Sequence, residues 1–60
     1  MDIDTTNRFL VSARGDEVLV LNPPRTGISR DDALNLAAWL VALAGGGEKF
    51  AAVLRAVEAT

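Results

Sequence analysis

The side chains of this sequence that could do chemistry are better suited to holding a ligand than to catalysis. Its 60 residues include neither cysteine nor histidine, so the common metal ligands, a thiolate nucleophile and the usual general base are missing. The hydroxyl groups and Lys49 therefore have no partner to activate them. Two pairs of adjacent carboxylates occur, Asp16-Glu17 and Asp31-Asp32. Neighbouring side chains in a turn or a first helical turn do not converge on one substrate atom, so we predict a non-enzymatic protein without metal or cofactor.

One candidate ligand site lies in a proline-rich connector that precedes a predicted helix. Arg25 belongs to the segment Asn22-Pro23-Pro24-Arg25-Thr26-Gly27, and Ser29 has the residue type of a helix N-cap. Free amides at a helix N-terminus attract anions, and an arginine beside them supplies a forked donor. The predicted anion-binding residues are Arg25, Thr26, Gly27 and Ser29, with Arg8 or Arg14 as a further cation. The alternative is that Arg25 is a solvated loop residue and that Asp31 and Asp32 already satisfy the helix dipole.

Trp39 is the second candidate ligand contact. It falls on the polar side of the predicted first helix, away from that helix's apolar arc. Tryptophan is enriched at interfaces and on surfaces that stack against ligands. Three roles remain open for this side chain: stacking on a base, entering a subunit interface, or packing beneath a second helix that folds back over it.

The first element that positions these residues is a β-hairpin over residues 8–22. The Gly15-Asp16 pair separates two β-rich segments, and glycine there supplies the positive φ of a type II′ turn that pairs Arg14 with Glu17. The predicted register gives the hairpin two apolar faces: Phe9, Val11, Ala13, Val18 and Val20 on one, and Leu10, Leu19 and Leu21 on the other. A hairpin lying on one helix needs a single apolar face, so we expect the leucine face to form a dimer contact.

Two helices are predicted after the connector. The first, over residues 30–44, has Ser29 as its cap and an apolar arc of roughly 200°. Gly45-Gly46-Gly47 ends it, because glycine suits the left-handed C-cap. The second, over residues 48–59, places its larger apolar side chains on one face. With residues 1–7 as a loose lead-in, the sequence predicts one small α+β domain, a hairpin followed by two helices.

The chain is at the low end of the size range that folds alone. Domains of this size usually depend on disulfides, a metal or a partner subunit. Without cysteine the chain can form neither a disulfide nor a thiolate metal site, and without histidine it lacks the commonest metal ligand. Half of the residues are hydrophobic, which is enough to build an interface. We therefore expect a homodimer or a larger homo-oligomer.

The charge balance limits the classes of partner. A net charge of −2 argues against nucleic-acid binding, which needs a basic face. No segment reaches the roughly 18 apolar residues of a membrane span. The N-terminus, Met1-Asp2-Ile3-Asp4, is acidic and lacks the apolar core of a signal peptide. We expect a cytosolic protein.

The stretch from Asn22 to Ala44 combines Pro23-Pro24 with the run ISRDDALNLAAWLVALA that starts at Ile28. This strand–loop–helix core resembles a family of short, uncharacterised phage and prophage proteins. The resemblance implies a phage setting, in which proteins of this size act as accessory factors against host defences. The leading hypothesis is a sponge that sequesters a small anionic, nucleotide-like defence signal. The alternative is an inhibitor or adaptor that binds a host protein.

Overall fold

The computed structural model describes residues 2–60 and contains two strands followed by two helices. In chain order these are β1 (Val11–Arg14), β2 (Glu17–Val20), α1 (Arg30–Ala44) and α2 (Gly47–Glu58). The strands form one antiparallel two-stranded sheet. This order confirms the predicted α+β fold, a β-hairpin followed by two helices.

The turn of the hairpin determines its register. Gly15 has a φ of +59°, whereas Asp16 has no positive φ, the combination expected of a type II′ turn. The turn places Arg14 opposite Glu17, as predicted. Val11 then faces Val20, so the side chains that alternate towards α1 are the valines and not the leucines.

The regular ladder is shorter than the predicted hairpin because β1 is interrupted at its start. Leu10 has a φ of +49°, a left-handed conformation that leucine rarely adopts. The Asn7 side chain bonds to the backbone at this point: its Nδ2 donates to the Val11 carbonyl and its Oδ1 accepts from the Val11 N–H, both at 2.9 Å. Two backbone bonds continue the pairing outward: the Leu21 N–H donates to the Leu10 carbonyl at 3.1 Å, and the Asn22 N–H donates to the Phe9 carbonyl at 3.0 Å.

Helix α1 is delimited by local chemistry. The Ser29 hydroxyl accepts a 3.0 Å hydrogen bond from the Asp32 N–H, and Asp31 adds a second carboxylate to the first turn. At the other end Gly45 takes the left-handed conformation, with a φ of +72°, and donates to the Val41 carbonyl at 3.0 Å. Both predicted ends of this helix are confirmed.

The core of the domain is thin. Within residues 2–60 only Phe9 and Val11 are buried, and they lie between the hairpin and α1. The larger apolar side chains of α1, apart from the exposed Leu34, are largely but not fully covered. Helix α2 contacts α1 but neither strand, and every residue from 47 to 60 is exposed. The hairpin and α1 therefore pack together, while α2 adds almost nothing to the core.

We predict that Gly15→Ala destabilises the protein and that Gly27→Ala does not. A Cβ at either position would meet no atom within 4 Å, and only Gly15 has a positive φ. The left-handed conformation should cost alanine about 1–2 kcal/mol. Gly27→Ala should change the free energy of unfolding by less than about 1 kcal/mol, in the stabilising direction. Urea titration measures both, and equal effects would contradict the turn assignment.

Candidate functional site

The N-terminal segment and α1 border an open groove of about 880 Å³. Residues 2–7 have no regular secondary structure, as expected of a lead-in, yet they are tied to the helix by two side-chain donors. The Asn35 Nδ2 donates to the Asp4 carbonyl, and the Trp39 Nε1 donates to the Thr5 carbonyl, both at 3.2 Å. These bonds hold the N-terminal segment along the polar side of α1.

Trp39 is half-buried, but the segment that covers it is not the second helix considered in the sequence analysis. Helix α2 does not fold back over it; the N-terminal segment lies there instead, through the bond to Thr5. The indole therefore anchors that segment with its N–H and lines the groove with its ring. Tryptophan commonly combines an apolar body with one polar bond in this way.

Arg8 joins the N-terminal segment to the start of α1. Its guanidinium pairs with the Asp4 carboxylate, and its Nε lies 3.7 Å from the Asp32 Oδ1. Hydrogen bonds from Thr6 and then from Arg8 hold the pKa of Asp4 well below its ordinary value, and the bond from Asp4 raises the pKa of Arg8. All of these groups are exposed, so each pair stabilises the fold only slightly. The charge of Arg8 is nevertheless already balanced by two carboxylates.

The groove is acidic. Its charged lining consists of four carboxylates and one cation: Asp2, Asp4, Asp31 and Asp32 against Arg8. Carboxylates that share one concave surface raise the local concentration of cations and lower that of anions. The groove therefore attracts a positively charged group and repels a phosphate.

The rest of the groove is apolar, with one unsatisfied acceptor. Ile3 and Leu34 both line it, and they are 82% and 69% exposed. Asn35 also lines it, and its Oδ1 is buried without a hydrogen-bond partner within the part of the chain that the structure describes. An unpaired buried acceptor costs about 1–3 kcal/mol.

The structure separates the predicted site residues into two groups. Arg8, Ser29 and Trp39 all line the groove, whereas the connector residues Arg25, Thr26 and Gly27 are exposed outside it. Sequence reasoning missed the residues that share the groove face of α1: Asp31, Leu34, Asn35, Ala38 and Ala42. Their spacing of three and four residues is the signal that could have found them.

The chain matches no protein-family model, no curated protein and no solved structure. The resemblance of its core to phage proteins therefore stays a prediction. Neither helix of residues 2–60 has the length and apolar character needed to cross a membrane. The same residues contain no group of three or more carboxylates placed to hold a metal ion.

We predict that Trp39→Phe releases the N-terminal segment from α1. The variant keeps an aromatic ring in the groove but loses the N–H that donates to the Thr5 carbonyl, together with the second ring of the indole. The expected loss is about 0.5–1.5 kcal/mol of stability, with faster hydrogen exchange in residues 2–8. Thr5→Ala is the matched control, because it keeps the backbone acceptor. Unchanged exchange in Trp39→Phe would contradict the anchoring role.

Proposed function

We propose that this protein is a non-enzymatic, cytosolic binding module that docks a basic segment of another protein in the groove along α1. The observation that carries the proposal is the combination of clustered carboxylates with exposed apolar side chains on one concave surface. A lysine or arginine of the partner would meet Asp31 and Asp32, and an adjacent apolar side chain would cover Leu34.

The shape of the groove supports a peptide-like partner. It is open to solvent along the helix, and residues 2–7 already lie beside α1, held there by two side-chain donors. A segment of a partner can lie in the same groove, beside the N-terminal segment. Exposed ion pairs contribute only about 0–1 kcal/mol each, so binding should be of moderate strength and weaken in salt.

The biological setting rests on the resemblance. A phage accessory protein that binds a basic segment of a host protein acts as an inhibitor or an adaptor. We propose the same protein to be a homodimer or larger assembly in solution, since a chain of this size with so thin a core gains stability from a second subunit.

A second candidate function, an anion sponge, rests on the connector. Arg25 is exposed and takes part in no ion pair within residues 2–60. A phosphate could reach its guanidinium together with the first amides of α1. Asp31 and Asp32 lie in that same first turn and oppose an anion, so the basic-segment proposal has the stronger electrostatic support.

We predict that Asp31→Asn weakens binding of a short peptide of alternating lysine and leucine. The loss should be about 0.5–1 kcal/mol, and the change in Trp39 fluorescence on titration measures it. Glu48→Gln is the matched control: Glu48 is in the first turn of α2 as Asp31 is in that of α1, and only Asp31 lines the groove. The control should bind as the wild type does.

Two further titrations separate the candidates. A peptide with glutamate in place of lysine should not bind, and a cyclic dinucleotide should bind more weakly than the basic peptide. Tight nucleotide binding that Arg25→Ala removes, with no response to the basic peptide, would contradict the groove proposal and support the anion sponge.

A further inference from the structure

Helix α2 presents an apolar stripe that the described chain covers only in part. Phe50, Val53, Leu54 and Val57 recur at spacings of three and four residues, which places them on one side of the helix. They are 37%, 49%, 42% and 60% exposed. The side opposite carries Ala52 and Arg55, so the helix has the pattern of one that buries a narrow face against a partner.

The chain exposes far more solvent-accessible surface than is expected of a folded monomer of its mass. A folded monomer of 6.3 kDa is expected to expose about 3,700 Å², and this chain exposes 5188 Å². The radius of gyration is 12.3 Å, against about 10 Å expected for 60 residues. The excess of about 1,400 Å² per chain amounts to about 2,800 Å² for two copies, which is within the range of about 2,000–5,000 Å² that large homodimer interfaces bury in all.

We propose that the α2 stripe packs against the same stripe of a second copy of this chain. The stripe contains no charged residue, so it is complementary to itself across a two-fold axis. Helices that meet along residues spaced three and four apart pack side by side in this way. Two adjacent α2 helices would bury the face that a single chain leaves in water.

The α2 stripe is a better candidate for the dimer interface than the leucine face of the hairpin, because of where each lies in the fold. Leu10 and Leu21 are also exposed, by 52% and 64%, but they belong to an element that already packs on α1 through its other face. Helix α2 contacts only α1, and without a partner its stripe has no role. No residue of α2 lines the groove, so the dimer forms without closing it, and either proposal can fail alone.

Sedimentation of matched aspartate variants tests the interface. The wild type should be a dimer at micromolar concentration, Val53→Asp should be a monomer, and the adjacent Ala52→Asp, on the opposite side of α2, should remain a dimer. Because α2 lies outside the core, Trp39 fluorescence should show Val53→Asp still folded. A monomeric wild type would overturn the proposal, as would a dimer that Leu21→Asp dissociates and Val53→Asp does not.

Single-cysteine variants supply a test that does not require a folded monomer. The chain has no cysteine, so one introduced thiol can pair only with its copy. Under mild oxidation Val53→Cys should form a disulfide-linked dimer, while Ala52→Cys should remain largely unlinked. Equal linking of the two variants, or linking of Ala52→Cys alone, would overturn the assignment of the face.

Discussion

The shortage of buried apolar surface is the constraint on which the rest of this structure depends. Only Phe9 and Val11 are buried among residues 2–60, because a two-stranded hairpin and one helix cannot enclose more than a few side chains. A sheet of two strands is marginal in water without a helix against it. Packing against α1 is therefore what makes the hairpin a stable element, and it uses one face of each.

Local interactions compensate for the thin core by fixing where each element begins and ends. Gly15 sets the hairpin register, Ser29 starts α1, and Gly45 stops it. The Asn7 side chain and the Trp39 indole then fasten the segments that have no ladder or helix of their own. Each of these local interactions contributes about 1 kcal/mol to the free energy of unfolding. That is a large share of the stability of so small a domain.

The elements could be predicted because their determinants are local in sequence. Hairpin register and helix ends follow from single residues whose conformational preferences are strong. The left-handed Leu10 could not be predicted, since nothing about leucine favours that conformation. The Asp4–Arg8 ion pair, four residues apart, could have been read from its spacing, but the segment has no periodic pattern to indicate structure.

The candidate site was predictable only in part. The sequence singles out Trp39 for its place on the polar side of α1, but it does not reveal the partner, because the N-terminal segment meets the helix through contacts more than 30 residues apart in sequence. The sequence indicates the connector as a candidate site because Arg25 lies shortly before a helix N-terminus. The groove instead depends on tertiary placement, which brings Asp2 and Asp4 beside Asp31 and leads us to propose a cationic ligand in place of an anionic one.

Two surfaces of different chemistry therefore remain open on one chain, an acidic groove along α1 and a neutral apolar stripe on α2. In our proposal the groove selects its partner by charge, through contacts that are weak individually. The stripe would contribute through apolar burial and would add stability that the single chain lacks. A second copy would then complete the fold, while the groove stays available to a different partner.

The dependence of thermal unfolding on protein concentration tests this account most directly. If folding and association are linked, the melting temperature must rise with the concentration of the chain, because a second copy acts as a ligand of the folded state. We expect a steady increase over the micromolar range and none in the Val53→Asp variant. A wild-type melting temperature independent of concentration, with the molecular mass of a monomer, would contradict the claim that a second copy completes the fold.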